Sequence, residues 1–308
     1  SYSLRRIKML LPRFDFDEPA TLAEACQVLS EFGTRAKVVA GGTDLMVNMK
    51  KNLASPERLV SIARIPELKK LDSSSAMLMI GSCFTIANAA ASEAIGKRWG
   101  AICAGAKSLG SPLVRNRATV GGNLGAARPA ADMPPSLMAY GARVVLVKKS
   151  GERIVPLDNF FRGPGRTEIA PDEVLTEIQV DAPPPYSGAG YMNLGLRSSC
   201  DCNIVNVASF ITLEGPGGPI INARIIMGCV GPTHLRAPSA EKTLVGENPS
   251  EALFARAADA IVACAPGVRS MDCTPIDDFR GSSEYKRDMV QVLIRRTLAA
   301  AYKDAVKD

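Results

Sequence analysis

The sequence predicts an α+β protein built from two domains. In the first half, segments with helical spacing of apolar residues alternate with short β-branched runs, whereas the second half carries long apolar strands and long helices. The proline-rich stretch DAPPP, at residues 181–185, stands between the halves and is typical of a stiff, extended connection. We therefore expect domains over residues 1–182 and 186–308, the second an antiparallel sheet with helices on one side.

The first half predicts short helices and strands. Residues 19–33 predict a helix: Pro19 leads into it, Thr21 can cap its first turn, one face is apolar, and Gly33 ends it. The Ser-Gly turn at residues 150–151 predicts a hairpin. Further helices are expected at residues 45–50, 86–93, 97–107 and 136–140, and strands at 37–40, 58–61, 76–81, 144–148, 153–156 and 174–180.

The second half predicts two paired strands followed by helices. Residues 205–213 and 220–229 are apolar runs around a glycine-rich turn, which favours an antiparallel pair. Residues 250–264 and 284–302 predict helices, because their apolar residues recur at helical spacing.

Composition excludes several classes of function. The chain has 308 residues, 46% of them hydrophobic, which is enough for a sizeable core. A net charge of +6 without basic runs beside aromatic residues does not indicate a nucleic-acid-binding protein. The apolar runs are too short for a membrane span. The run at residues 9–11 is too short for a secretory signal, so we expect a cytoplasmic protein.

The cysteines indicate free thiols. They stand at positions 26, 83, 103, 200, 202, 229, 264 and 273, without a Cys-x-x-Cys pair. Structural zinc and iron–sulfur clusters normally need tighter grouping, and Cys200 and Cys202 alone are weak evidence for one. We expect no metal site in this chain.

Two glycine-rich segments are the strongest functional signal. Residues 40–44 read AGGTD and residues 119–123 read TVGGN. Paired glycines let backbone N–H groups approach an anion that a Cβ atom would block. We expect both segments to be loops, and two such loops predict a pyrophosphate held from two sides. Neither has the Gly-x-Gly-x-x-Gly spacing of a Rossmann turn, which disfavours a nicotinamide site of that type.

Six segments resemble one family in the same order. They are KVVAGGTDL at 37–45, TVGGNL at 119–124, RPAAD at 128–132, DEVL at 172–175, Tyr191 with Arg197 and Asp201, and GSSEY at 281–285. The chain thereby resembles the FAD-binding medium subunit of molybdenum hydroxylases, the xanthine dehydrogenase and carbon monoxide dehydrogenase type.

The resemblance implies an architecture and a role. The first domain would be an FAD-binding domain of the vanillyl-alcohol oxidase (PCMH) type in two α/β subdomains, and the second would be the C-terminal domain of the carbon monoxide dehydrogenase flavoprotein. The chain would take electrons from an iron–sulfur small subunit and pass them to an external acceptor. Molybdenum cofactor would be held by a large subunit, and iron–sulfur clusters by partners only. The cysteine-bearing insert of relatives similar to 4-hydroxybenzoyl-CoA reductase is missing after Arg128, so its extra cluster is not expected.

The resemblance also implies the cofactor-binding residues. They are Lys37, Val38, Val39, Ala40, Gly41, Gly42, Thr43, Asp44, Leu45, Leu109, Ala118, Thr119, Gly121, Gly122, Asn123, Ala126, Asp132, Leu175, Tyr191 and Asn193. The N–H groups of both glycine segments would bind the phosphates, with the hydroxyls of Thr43 and Thr119. Asp132 would accept hydrogen bonds from flavin or ribose hydroxyls. Asp44 is equally readable as a turn cap, and Leu109 and Leu175 as core leucines. No catalytic residue is expected, because the cofactor does the redox chemistry.

The segment around Tyr191 departs from the family pattern. Many relatives have lysine where Asn193 stands, and a neutral amide would stabilise reduced flavin less than a cation does. Tyr191 would either stack near the flavin ring or be a core tyrosine with a satisfied hydroxyl. Arg197 and Asp201, four residues apart, predict a local ion pair. The single histidine, His234, is expected to be structural or exposed.

Two other functions fit the same residues. One is a stand-alone FAD-dependent reductase or oxidase of this fold, which would bind its own substrate in the second domain. The other is a non-catalytic scaffold subunit that has lost the flavin. The two intact glycine segments argue against the scaffold.

Overall fold

The computed structural model describes residues 11–197, 200–262 and 272–307, and it confirms the α+β class. Cys264, the end of the helix expected at 250–264 and residues 1–10 lie outside the described residues. No helix of the described ranges is both long and apolar enough to cross a membrane.

The first subdomain is a small parallel sheet covered by a capped helix. Its elements are β1 (Asp15–Asp17), α1 (Leu22–Phe32), β2 (Ala36–Val39), α2 (Leu45–Lys50) and β3 (Arg58–Ser61), with strand order β1-β3-β2. Helix α1 begins as expected, because Thr21 and Glu24 form a reciprocal capping box.

The second subdomain is an antiparallel sheet with helices against it. Its elements are β4 (Leu71–Ser73), β5 (Met77–Gly81), α3 (Ile86–Ala91), α4 (Glu93–Arg98), α5 (Gly100–Ser108), α6 (Pro112–Arg115), α7 (Val120–Gly125), α8 (Met133–Ala139), β6 (Arg143–Lys148), β7 (Gly151–Pro156), β8 (Phe161–Gly163), β9 (Arg166–Thr167) and β10 (Val174–Asp181). The strand order is β4-β5-β10-β6-β7, and β8 and β9 form a separate small hairpin.

Two expectations for this subdomain are wrong. The helical stretch expected at 97–107 is interrupted at Trp99, whose buried indole N–H donates to the Asp181 carbonyl at 3.1 Å. The helix is interrupted because the Trp99 ring is buried at this point, and the local spacing of apolar residues does not predict that burial. The second glycine segment, expected as a loop, forms helix α7, because Thr119 caps its first turn.

The second domain is an antiparallel sheet with helices on one face, as expected. It comprises β11 (Ser187–Leu194), β12 (Val205–Leu213), β13 (Ile220–Gly228), β14 (Leu235–Arg236), α9 (Pro238–Leu244), α10 (Glu251–Ala260) and α11 (Ser283–Ala305), with strand order β11-β12-β13-β14. All of β12 is buried. Val207 and Ile211 share a core with α11, whereas Ala208 and Phe210 share one with the first domain.

The two domains therefore contact each other through the other face of this sheet. The Phe210 ring packs edge-on against Tyr140, with centroids 5.4 Å apart. Arg224 of β13 donates to the Met138 carbonyl at 2.9 Å and to both carboxylate oxygens of Asp158 at 2.8 Å. A shared core and a charged clamp thus fix the second domain against the first.

Candidate functional site

A cavity of about 630 Å³ lies between the two subdomains of the first domain. Of the residues expected at the cofactor, those that line it are Lys37, Val38, Val39, Ala40, Gly41, Gly42, Thr43, Asp44, Leu45, Thr119, Gly121, Gly122, Ala126 and Leu175. Those that do not are Leu109, Ala118, Asn123, Asp132, Tyr191 and Asn193. The structure thus brings both glycine segments to one cavity.

The first glycine segment connects β2 to α2 and presents free donors. A Cβ atom at Gly41 would lie 1.9 Å from the Arg117 carbonyl oxygen, so only glycine allows this close approach of two backbones. Gly42 has φ +73°, which favours glycine again. Within the described residues, the N–H groups of Gly41, Gly42 and Thr43 donate to no other protein atom. Free, adjacent N–H groups of this kind form an anion-binding concavity.

The second glycine segment uses its N–H groups inside the protein. Gly121 N–H donates to the Ser82 carbonyl at 2.9 Å, Gly122 N–H to the Thr119 hydroxyl at 3.1 Å, and Asn123 N–H to the Thr119 carbonyl at 2.9 Å. These N–H groups therefore already have partners within the described structure, and their expected binding of a phosphate stays a prediction. Gly121 is needed for packing, because its Cβ atom would lie 2.5 Å from Ser82 Cβ.

Asp44 is paired with Arg128. This ion pair joins the residue before α2 to the segment that follows α7. Asp44 makes no capping hydrogen bond to α2, so the turn-cap interpretation is wrong. The guanidinium of Arg128 offsets the carboxylate charge that would otherwise repel a phosphate beside the first glycine segment. The motif at 128–132 was recognised in the sequence, but this pairing was not.

The hairpin of β8 and β9, with the residues that follow it, supplies a wall of the cavity that was not predicted from the sequence. Arg166, Thr167, Ile169 and Ala170 line the cavity, as does Ser82 at the end of β5. The signal available was the Gly-Pro-Gly turn at residues 163–165, which precedes Arg166. With Lys37 and Arg166, the lining carries cationic side chains that suit an anionic ligand.

Glu173 is the acidic residue of this wall, and it is held by Arg153. The Arg153 guanidinium donates to both carboxylate oxygens, at 2.7 and 2.8 Å, and the Ala170 N–H donates at 2.8 Å. The hydrogen bond from Arg153 lowers the pKa of Glu173 against the opposing effect of burial. Its charge is thus compensated, which reduces repulsion of an anion in the cavity.

Asp132 is the centre of a buried hydrogen-bond network between the two domains. Its Oδ1 atom accepts from the Ser108 hydroxyl at 2.9 Å, the Tyr191 hydroxyl at 3.2 Å and the Asn203 amide at 2.9 Å. Burial raises the pKa of Asp132, and these hydrogen bonds oppose the rise. Tyr191 is therefore a core tyrosine with a satisfied hydroxyl, the second of the two interpretations.

Asn193 joins this network through Asn203. The Asn193 amide donates to Asn203 Oδ1 at 2.8 Å, and the Asn203 amide also donates to the Ala130 carbonyl at 3.1 Å. Ser108 and Asn203 were not singled out in the sequence, because their roles arise from contacts between distant segments. A substitution at position 193 would therefore act on Asp132 through the side-chain amide of Asn203.

Two expectations outside the cavity have clear outcomes. Arg197 and Asp201 form the predicted ion pair at 3.5 Å, and Arg197 N–H also donates to Asp201 Oδ2 at 2.9 Å. His234 is buried against Phe161, with ring centroids 5.2 Å apart. Burial lowers the pKa of His234 to about 4, an effect that the nearby Ala131 backbone partly opposes.

The residues of the cavity fit FAD. The first glycine segment offers a pyrophosphate free N–H groups and a surface without Cβ atoms, and Lys37 and Arg166 offer positive charge. Val38, Ile169 and Leu175 give the same cavity apolar walls for ring systems.

Two family models match most of the chain. The model described as the FAD binding domain in molybdopterin dehydrogenase matches residues 12–183. The model of the CO dehydrogenase flavoprotein C-terminal domain matches residues 191–301.

Curated relatives and solved structures agree with these matches. The carbon monoxide dehydrogenase medium chain of Hydrogenophaga pseudoflava is 33% identical, over 96% of this chain and 99% of the relative. The nicotine 6-hydroxylase medium subunit of Paenarthrobacter nicotinovorans is 31% identical, over 95% and 99%.

A chain of carbon monoxide dehydrogenase from Hydrogenophaga pseudoflava superposes with a TM-score of 0.88, at 33% identity over 96% of this chain and 99% of that one. A chain of quinoline 2-oxidoreductase from Pseudomonas putida 86 gives 0.87, at 25% identity over 97% and 100%. The chain therefore belongs to the family of FAD-binding medium subunits of molybdenum hydroxylases.

Proposed function

We propose that this chain transfers electrons from an iron–sulfur small subunit to an external acceptor, within a complex whose large subunit holds the molybdenum cofactor. The observation that carries the proposal is the anion-binding concavity of Gly41, Gly42 and Thr43 in a cavity that fits FAD. The names of the relatives support a role in a larger assembly, since they are a medium chain and a medium subunit.

The chain's own residues bind and orient the cofactor. The free N–H groups of the first glycine segment would hold the pyrophosphate, and Arg128 would keep Asp44 from repelling it. Leu175 and Ile169 would exclude water from the apolar part of the cavity. FAD, when bound, supplies the ability to take up and release electrons singly or in pairs.

The cofactor-binding set and the domain limits belong to this proposal. We place the boundary between the domains at residues 182–186. We also propose that FAD is bound by the fourteen predicted residues that line the cavity, together with Ser82 and Arg166. The buried free thiols Cys26, Cys83, Cys103 and Cys273 support a reducing, cytoplasmic location. Cell fractionation with antibody detection tests that location.

Purification from the native host under anaerobic conditions tests the proposed function. We expect a complex that contains FAD, iron and molybdenum, in which the flavin absorbance bleaches on reduction and recovers when an acceptor is added. Turnover of an organic substrate by the isolated chain would instead support the stand-alone oxidoreductase. A colourless chain that takes up no added FAD would support the scaffold.

A further inference from the structure

The second domain binds three consecutive backbone carbonyls of the first. Residues 129–131 lie between α7 and α8, and each of their carbonyl oxygens accepts a hydrogen bond from the second domain. The donors and acceptors are the Cys229 N–H with Pro129 at 3.0 Å, the Asn203 amide with Ala130 at 3.1 Å and the Asn206 amide with Ala131 at 2.9 Å. We call residues 127–132 the interdomain segment. Its backbone is thus held by groups of another domain.

The interdomain segment begins at the wall of the cofactor cavity. Ala126, which precedes it, lines the cavity, and the Ala127 carbonyl accepts the N–H of Gly165, another lining residue, at 2.9 Å. Arg128 is paired with Asp44, the cavity residue at the end of the first glycine segment. A displacement of the interdomain segment would therefore move groups on two walls of the cavity.

The backbone is strained on both sides of this contact. Ala127 has φ +45° and Cys229 has φ +66°, which is the left-handed region that residues with a Cβ atom rarely adopt. Such conformations persist only where surrounding contacts determine them, and they are frequent at ligand clamps. The hydrogen bond from the Cys229 N–H to Pro129 is one of these contacts, and it comes from the second domain.

The residues that hold the interdomain segment do not line the cavity. In the described part of the chain, every lining residue lies at or before Leu175, within the first domain. Asn203, Asn206 and Cys229 can therefore act on a ligand in this cavity only through the groups that they hold. The interdomain segment is hydrogen-bonded to these residues at one end and to the cavity wall at the other.

We infer that Asn203 and Asn206 are positioning residues for FAD. By holding the carbonyls of the interdomain segment, they fix Arg128 and Asp44 at the cavity and slow the release of the cofactor. The inference rests on the proposed function and specifies how the second domain controls retention of FAD. Because coupling between two sites is reciprocal, bound FAD also stabilises the contact between the domains.

The rate of FAD release from the purified chain tests the inference. Asn206→Ala removes the donor to Ala131, and we expect FAD to dissociate about fivefold faster, as the loss of one hydrogen bond implies. The matched control is Ser209→Ala, also in β12, where a buried hydroxyl is paired with Thr297 at 2.7 Å. We expect a similar loss of stability in urea for this variant and an unchanged rate of FAD release.

Asn203→Ala is the second variant. It removes the donor to Ala130, and we expect the same acceleration of FAD release. Asn203 also contacts Asp132, whereas Asn206 makes no hydrogen bond to it in the described structure, so agreement between the two variants would identify the carbonyls as the common cause.

A double-mutant cycle tests the route of the effect. Arg128→Gln breaks the pair with Asp44 at the cavity. Because Asn206 acts through this pair, Asn206→Ala should accelerate FAD release less in the Arg128→Gln background than in the native chain. Additive effects of the two substitutions on the release rate would overturn the inference.

Hydrogen exchange of the native chain gives an independent readout. Bound FAD should slow exchange of the Cys229 amide hydrogen, because this N–H donates to Pro129 of the interdomain segment. The Leu253 amide, which donates to Ser250 at the start of α10, is the internal control and should exchange equally with and without FAD.

The outcomes separate this inference from the proposed function. A native chain that binds FAD, with equal release rates for Asn206→Ala and Ser209→Ala, would overturn the inference alone. Equal exchange of the Cys229 amide with and without FAD would do the same. A native chain that takes up no FAD would overturn the proposed function, and this inference with it.

Discussion

At Gly41 the space for a side chain is occupied by the backbone of another segment. Gly41→Ala places Cβ 1.9 Å from the Arg117 carbonyl oxygen, and neither backbone can yield as a side chain would. We expect a loss of about 1–3 kcal/mol in the free energy of unfolding, with a large loss of FAD affinity. Denaturant titration and FAD content per chain measure both effects.

The matched control is Gly100→Ala. Gly100 begins α5, and a Cβ atom there would meet nothing within 4 Å. Unchanged stability and FAD content are expected for this variant. A Gly41→Ala protein that keeps both would contradict the close approach of the two segments.

His234 is the single histidine of the chain, so its titration can be observed without overlap. Burial holds its pKa at about 4, below the 6.5 of a free imidazole. Between these values the unfolded chain binds a proton that the folded chain excludes. Titration of His234 therefore does not affect the free energy of unfolding above pH 6.5. As pH falls from 6.5 toward 4, protonation of the unfolded chain lowers this free energy by up to about 3 kcal/mol.

Proton NMR of the His234 ring measures this pKa directly. We expect the ring signals to keep their neutral shifts down to about pH 4. Denaturation of His234→Gln should show a weaker pH dependence between 6.5 and 4 than the native chain. A ring that titrates near 6.5 would show that His234 is accessible to water.

Asn193 offers a test of how the network of Asp132 acts on the flavin. Asn193→Lys would place a cation beside Asn203, which contacts Asp132. The family resemblance implies that position 193 lies close to the flavin ring, and a cation there would stabilise the reduced, anionic ring, so we expect a higher flavin reduction potential. Spectroelectrochemical titration measures the potential, and an unchanged value in Asn193→Lys would refute the idea. Asn193→Gln, which keeps a neutral amide, is the control.

Among the elements, α7 shows where the sequence was read correctly and where it was not. The residues of the second glycine segment were correctly expected at the same cavity as the first. Their conformation was not, because a Thr closely followed by two glycines fits both an anion-binding loop and the first turn of a helix. The choice is made by Ser82, distant in sequence, which accepts the Gly121 N–H.

Thr119→Val tests this account of α7. The change removes the hydroxyl that accepts the Gly122 N–H, and we expect to lose about 1 kcal/mol of unfolding free energy together with FAD affinity. Ser250→Ala removes the corresponding cap of α10, which accepts the Leu253 N–H far from the cavity. That variant should lose similar stability with no change in FAD affinity. If Thr119→Val and Ser250→Ala bind FAD with equal affinity, the α7 cap does not contribute to the cofactor site.

At the scale of the whole molecule, the sequence predicted most of the fold and the part of the cavity formed by the first glycine segment. Periodicity and turn residues located β12 and β13 of the second domain but not β11 or β14. Strand β12 was recognisable because both of its faces are buried and its apolar run is long. The resemblance implies that Tyr191 and Asp132 bind the cofactor, but nothing in the sequence indicates that they contact each other, because the packing of the two domains decides which groups they face. Contacts between distant segments of this kind leave no local pattern.

The contact between the domains gives a prediction for the molecule as a whole. Arg224→Ala removes the hydrogen bonds to Asp158 and to the Met138 carbonyl, and we expect to lose about 2 kcal/mol of unfolding free energy. Arg256→Ala, which breaks an exposed pair with Glu247 at 3.6 Å, should lose less than about 1 kcal/mol. Urea denaturation measures both, and equal losses would show that Arg224 does not hold the domains together.

The central claim is that this chain binds FAD in the cavity between its two subdomains. The most direct test is the visible absorption spectrum of the purified chain, with the released cofactor identified after denaturation. We predict a flavin spectrum and one FAD per chain, with FAD strongly reduced in Gly41→Ala and unchanged in Gly100→Ala. A colourless native chain that takes up no added FAD would contradict the claim.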